Sequence, residues 1–315
     1  MLARKIYYFC KPFIPRYFQI ELRRYLVLRQ RRASVNSWPI LEASSTPPDA
    51  WSGWPEGKRF ALVLTHDVDT ARGQERCREL MKLEMQLGFR SSFNFVPERY
   101  AVSSELRHAL TQNGFEVGVH GLNHDGKYFT SKKEFKKRAN KINQYLNAWQ
   151  SVGYRSPSMQ HNLEWFHDLN IEYDASTFDT DPFEPQPEGV ETIFPFVVHR
   201  DVSQRPYVEL PYTLPQDFTL FILMKEKTVD IWKRKLEWVA ENGGMVLMNT
   251  HPDYMNFQGE KLGLEEYPAE YYRELLSIVK SQYAGRYWHA LPKDVSRFWY
   301  ERNRAADGQT KQRMF

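Results

Sequence analysis

Residues 60–70 read Phe-Ala-Leu-Val-Leu-Thr-His-Asp-Val-Asp-Thr, five apolar residues running straight into two carboxylates one residue apart. A continuous apolar run of this kind suits a strand buried on both faces, as in a parallel sheet covered by helices. Such strands deliver chemical groups at their C-terminal ends. Residues two apart in an extended chain point to the same side, so Asp67 and Asp69 can converge on one point. Two converging carboxylates repel unless a cation or a shared proton lies between them. Taken alone, the stretch fits a solvated acidic turn equally well.

From residue 58 the pattern alternates. Arg72–Leu87 is a polar helix with Leu80, Leu83 and Leu87 at helical spacing, and Gly88 stops it. Ser91–Val96 reads as a strand, Ser103 and Ser104 cap a helix ending near Gly114, and Phe115–His120 is a strand again. A long charged helix covers Ser131–Gln150, and its lysines form a solvated face. Short strands follow at Gly153–Arg155, Ile171–Asp174, Ile193–Val198 and Tyr207–Leu210. Trp232, Leu236, Val239 and Ala240 make a helix stripe. Met245–Asn249 is a buried strand, Ala269–Tyr283 a helix, Trp288–Leu291 a last strand and Lys293–Glu301 a last helix. Alternation over 58–301 favours a single barrel-like α/β domain, with 302–315 as a disordered tail and 34–57, rich in Pro and Ser, as a connector.

Charge is unevenly placed. Residues 1–32 carry nine Lys or Arg against one acid, a net +8, which leaves −4 on the rest of a chain whose total is +4. This argues against a nucleic-acid groove on the body. The segment 1–33 also holds Tyr7, Tyr8, Phe9, Phe13, Tyr17, Phe18 and Tyr25 without a long apolar run. It is neither a standard signal peptide nor a spanning helix. Two readings remain: a basic aromatic arm for an anionic membrane surface, or an extra helix packed on the domain. The two cysteines, Cys10 and Cys77, lie in unlike contexts and predict no disulfide framework and no thiolate metal site. They fit a reducing compartment.

Three further clusters end strands. His120-Gly-Leu-Asn-His124 places two imidazoles four apart, which can share a metal. With 9 His in 315 residues, chance produces such a pair in roughly one chain in four, so its position after a strand matters more than its spacing. Gly153-Tyr-Arg-Ser-Pro-Ser158 puts Arg155 where it can hold a carboxylate. His251 ends Met-Asn-Thr-His. A parallel barrel gathers its site at these ends.

In this order, Thr-His-Asp-Val-Asp, His-x-x-x-His, Arg-Ser-Pro and a strand-terminal His resemble the polysaccharide deacetylase superfamily, carbohydrate esterase family 4, over about 58–292. The resemblance implies a distorted (β/α) barrel of about seven strands and a metal-dependent hydrolase acting on the C–N bond of N-acetylated sugars. It implies Asp67 as general base, Asp69, His120 and His124 as metal ligands, Arg155 as the orienter of Asp67, and His251 as general acid. The partner of His251 is expected to be Asp217, with Asp174 and Asp230 as rivals. The family usually sets its two Asp side by side, has Ser or Thr where this chain has Gly121, and often Tyr at the position of Ser158. The oxyanion donor there is the backbone N–H, which a side-chain change leaves intact. Zinc suits one carboxylate and two imidazoles, though cobalt, nickel or iron fit the same set.

The expected function is deacetylation of an N-acetylated sugar or glycan intermediate during cell-surface polysaccharide biosynthesis, in the cytoplasm or at the inner face of the membrane. Two alternatives stand beside it: a hydrolase of small cyclic amides or ureides, and a non-catalytic carbohydrate-binding relative.

Overall fold

The structure, a computed structural model, describes residues 15–49, 51–199, 205–259 and 261–312, with side chains as far as 304. The expected features of residues 1–14, Cys10 among them, lie outside it. The first strand, β1 (Phe60–Val68), is buried along its whole length. One edge pairs in parallel with β8 (Met245–Thr250) from Ala61 to His66. The other edge is shared. Its first half pairs with β11 (Tyr287–His289) and its second half with β2 (Ser92–Phe95). A strand used on both edges and covered on both faces favours an apolar run, which Phe-Ala-Leu-Val-Leu supplies, while the buried Thr65, His66 and Asp67 that follow are hydrogen-bonded.

From β2 the sheet continues in parallel through β3 (Glu116–His120), β4 (Gly153–Arg155), β5 (Tyr173–Asp174) and β7 (Tyr207–Glu209). Just beyond β7, a single bridge from Leu214 to Met248 of β8 brings the ends together. Seven parallel strands thus make a distorted barrel, while β6 (Phe196–Val198) is an antiparallel addition on β7. The separate β9 (Met255–Asn256) and β10 (Tyr267–Pro268) pair with each other.

Helices cover the outside. The first, α1 (Arg16–Ala33), belongs to the basic N-terminal segment, and over these residues the segment is a helix docked on the domain. It buries Gln19, Ile20, Arg24 and Val27. Arg24 Nε donates to the Ile222 carbonyl at 2.9 Å, and Arg31 pairs with Glu226 at 2.6 Å. Next, α2 (Ala71–Leu87) starts on Thr70, whose hydroxyl accepts from the Gly73 N–H, and stops at Gly88 in the left-handed region. Ser103 and Ser131 cap α3 (Ser104–Gln112) and α4 (Lys132–Trp149) in the same way. These caps start α2 and α3 close behind strand ends, so the connecting loops carry the polar clusters. A π-helical turn, Phe218–Leu223, precedes α5 (Asp230–Glu241), and α6 (Ala269–Gln282) follows β10. The last helix, α7 (Pro292–Gln312), continues through much of the stretch expected to be a disordered tail.

One buried ion pair ties α5 to the barrel wall just past β5. Lys235 of α5 reaches Asp179 at 2.5 Å, with side-chain exposures of 0% and 1%. Burial pushes the Asp179 carboxyl up against the pull of the Lys235 charge. Lys235→Met should therefore cost about 3–5 kcal/mol in urea unfolding, because an unpaired carboxylate is left inside. Adding Asp179→Leu should recover most of that loss. Equal losses in the single and double variants would show that the pair does not hold the wall.

Candidate metal centre and active site

β1 delivers Asp67 and, just past its end, Asp69. β3 ends on His120, and the following loop turns back through Gly121 (φ 62°) and His124 (φ 54°). The turn is tight: a Cβ on Gly121 would lie 2.5 Å from Pro157 Cγ. The Ser or Thr common in the family at this position has no room here.

Asp69 Oδ1 is 3.3 Å from His120 Nε2 and 3.4 Å from His124 Nε2. The three donor atoms all lie within 4.8 Å of one another. Two ligands each about 2.0–2.1 Å from a tetrahedral centre are separated by about 3.4 Å, so two of the three separations are already those of a zinc polyhedron. Asp69 Oδ1 is also buried and makes no hydrogen bond among the described residues. On the far side of the ring, His120 Nδ1 lies 3.1 Å from the Arg155 carbonyl. Donation to that carbonyl leaves the Nε2 lone pair facing the other two donors. The residues present fit a divalent transition metal.

Asp67 sits beside this cluster at 2% exposure, 4.0 Å from His120 Nε2. Burial alone would raise its pKa. The charges of His120, Arg155 and His251 and a hydrogen bond from Asn94 outweigh burial and hold it below the ordinary carboxylate range. Arg155 is an ion-pair partner at 3.7 Å, without a hydrogen bond to Asp67. Two amides orient the carboxylate instead. Asn94 Nδ2 donates to Oδ1 at 3.0 Å and Asn249 Nδ2 to Oδ2 at 2.9 Å. Both come from neighbouring strands, Asn94 directly opposite Asp67 in the β1–β2 register. Arg155, the expected orienter, thus lies at ion-pair distance from Asp67, and two residues that the sequence did not single out make its hydrogen bonds. Their only signal is a polar residue inside an apolar strand, as in Phe93-Asn94-Phe95 and Met248-Asn249-Thr250. Asp253 was missed too. It accepts from the Asp69 backbone N–H at 3.0 Å and from the Thr70 hydroxyl.

His251 lies at the end of β8. Its Nδ1 is 2.7 Å from Asp217 Oδ1, and its backbone N–H donates to Asp217 Oδ2 at 2.8 Å. The Tyr267 hydroxyl and the Phe218 N–H also donate to Asp217. Asp174 binds Ser176 and Asp230 binds Thr228 and Lys233, both away from His251. Burial disfavours charge on the imidazole, but the Asp217 carboxylate overrides it and pushes the His251 pKa up to about 10. Ser158, in the loop after β4, has φ 55°.

No family model matches the sequence, and no curated protein does. Solved structures do. A protein assigned as a polysaccharide deacetylase from Mycobacterium smegmatis aligns with TM-score 0.63 at 17% identity, over 82% of this chain and 96% of that one. PuuE allantoinase gives the same TM-score at 14% identity over 82% and 96%, and a protein assigned as a polysaccharide deacetylase from Pseudomonas aeruginosa PAO1 gives 0.57 at 15% over 79% and 93%. This chain has the polysaccharide deacetylase fold.

Any step that needs the His251 imidazolium should hold to alkaline pH and fall as pH rises through about 10. Asp217→Asn removes the charge that supports the imidazolium, so the fall should move toward the ordinary histidine value of about 6.5. The pH profile of kcat/KM checks this. An alkaline limb that Asp217→Asn leaves in place would assign it to another group.

Proposed function

We propose that this chain is a metal-dependent N-deacetylase that hydrolyses the acetamide of an N-acetylated sugar during synthesis of a cell-surface polysaccharide. The observation that carries the reading is one cluster of strand-end groups. Asp67 adjoins the Asp69, His120 and His124 donors, and His251, paired with Asp217, lies within electrostatic reach of both Asp67 and Asp69. That is a base beside a metal site, with an acid close by.

Asp69, His120 and His124 would hold the metal, with zinc the best match to the donor set. A zinc ion bound there supplies a Lewis acid that polarises the acetamide carbonyl and acidifies water. Asp67, held by Asn94 and Asn249, accepts the proton of the attacking water. The Ser158 N–H donates to the oxygen on which negative charge develops. His251, charged beforehand, passes its Nε2 proton to the leaving nitrogen, while Asp217 keeps the ring oriented through Nδ1. Acetate and an amino sugar result.

A second reading has one observation behind it. The allantoinase structure is as similar as that of the first deacetylase. A closed-pocket hydrolase of a cyclic ureide is therefore the competing activity. Acetate release from chitooligosaccharides without turnover of allantoin supports the deacetylase, and the opposite result supports the ureide hydrolase.

Asp67→Asn should keep stoichiometric zinc and lose about 10²–10⁴-fold in turnover, the usual contribution of a general base. Asp69→Asn, His120→Ala and His124→Ala should lose metal and activity together, read by elemental analysis. Near-stoichiometric metal in the histidine variants would sink the ligand assignment. In the source cell, loss of the enzyme should add one acetyl group per repeat unit of the surface glycan, measured by mass and free-amine content. An unchanged glycan would count against the biosynthetic role.

The helix α1 supports a place near lipid-linked intermediates. Its outward face exposes Phe18, Leu22, Tyr25 and Leu26 beside the exposed Arg29 and Arg32. No helix among the described residues is long and apolar enough to cross a membrane. Co-sedimentation with phosphatidylglycerol vesicles, weakened by high salt, is the expected result. Equal recovery with neutral vesicles would rule out an electrostatic attachment.

A further inference from the structure

The docked face of α1 does more than cover the domain. Of its arginines, Arg16 pairs with Glu265, Arg24 with Glu21 and the Ile222 carbonyl, and Arg31 with Glu226. Arg23 is half-buried, and among the described residues it makes no hydrogen bond and no ion pair within 4.0 Å. Its guanidinium lies over the Phe218 ring, 4.8 Å from the centroid. Phe218 directly follows Asp217, the partner of His251. It packs at a tilt on Tyr254, 4.9 Å between centroids and 41° between planes, and Tyr254 packs likewise on the His251 ring at 5.1 Å and 50°. A continuous aromatic wall therefore runs from the His251 imidazole to the Arg23 guanidinium.

Glu184 faces the same space. It accepts from Gln216 Nε2 at 2.6 Å, and the Tyr212 hydroxyl lies between it and Asp181. Burial and repulsion from Asp181 raise its pKa, while the charges of Arg23 and His251 both draw it down, so it lies within electrostatic reach of both. It forms no ion pair with Arg23 within 4.0 Å among the described residues. The arginine is thus placed over the ring, with no N–H bond to any described residue. A guanidinium with free N–H groups can bind a carboxylate or phosphate in a bidentate manner.

We propose that Arg23 is a specificity-determining residue that binds an anionic group, a carboxylate or a phosphate, carried by the sugar substrate next to the N-acetyl group that is hydrolysed. This rests on the deacetylase reading. The aromatic wall takes the intervening sugar face, and the anion ends on the helix. The N-terminal helix thereby becomes part of the substrate site, contributing a side chain that the barrel itself does not provide.

The test uses two matched substrate pairs with the zinc-loaded full chain. One is hyaluronan tetrasaccharide against its carboxyl-reduced form; the other is N-acetylglucosamine 1-phosphate against methyl N-acetylglucosaminide. In one pair the wild type should show a KM about tenfold lower for the anionic member, the size expected of a charge-assisted bidentate contact. Which pair does so separates carboxylate from phosphate. Arg23→Gln should erase that preference through KM, and Arg23→Lys should restore part of it. The same anionic-to-neutral ratio in wild type and Arg23→Gln, in both pairs, overturns the inference. So does a parallel fall in kcat on charged and neutral members, which marks a structural defect. Turnover of none of the four overturns the deacetylase reading and this inference with it.

Discussion

Asp67 is a carboxylate that the fold must keep ionised while denying it water. Burial at this depth drives a proton onto a carboxyl group unless opposing charge and hydrogen bonds are brought to it. The surrounding site answers that demand. Arg155 and His251 supply positive charge from two strand ends, and Asn94 and Asn249 supply the two hydrogen bonds. The two histidines are in turn fixed by other groups. His120 is set by the Arg155 carbonyl and His251 by Asp217, which is itself held by Tyr267 and the start of the π-helical turn. A shift of any one strand would leave a buried anion short of compensation. The architecture of the barrel mouth and the ionisation of one residue are therefore a single problem.

The same logic separates the two aspartates of the motif. Asp69 lies past the end of β1, and its backbone N–H is tied to Asp253. Its free oxygen faces two imidazoles at ligand-edge spacing. Asp67, one turn of the pleat earlier, has both oxygens already taken by amides. An oxygen occupied by an amide donor is poorly placed to ligate and well placed to hold its geometry while accepting a proton. On the proposed reading, spacing by two residues gives one carboxylate to the metal site and one to proton transfer.

The parts of this arrangement visible in the sequence are those encoded by short-range spacing. Asp67 and Asp69 are two apart, His120 and His124 four apart, and each cluster ends a recognisable strand. Resemblance to a family then ordered them. Asn94 and Asn249 were hidden because they meet Asp67 across 27 and 182 residues, through a parallel register that no local pattern states. The choice of Asp217 over Asp174 and Asp230 likewise depends on where a loop returns after β7. Segment 16–33 was ambiguous for a different reason. Its buried set, Gln19, Ile20, Arg24 and Val27, is half polar, so it does not read as a core-facing stripe. Docking relies on Arg24 and Arg31 reaching carbonyl and carboxylate partners far along the chain.

The shared edge of β1 carries a consequence for how the molecule assembles. The C-terminal half of that edge pairs with β2, close behind it in the chain, while the N-terminal half waits for β11, and the opposite edge waits for β8. Loop-closure entropy makes such distant pairings late and slow, whereas β1, β2, β3 and β4 can zip up in order. The three candidate ligands all lie in that early half, and His251 with Asp217 lies in the late half. During synthesis, which releases the N-terminal part first, the nascent chain has the candidate metal donors well before it has the proposed acid. Amide-exchange protection that appears in β2 and β3 ahead of β8 would be the kinetic signature of this order, and simultaneous protection would contradict it.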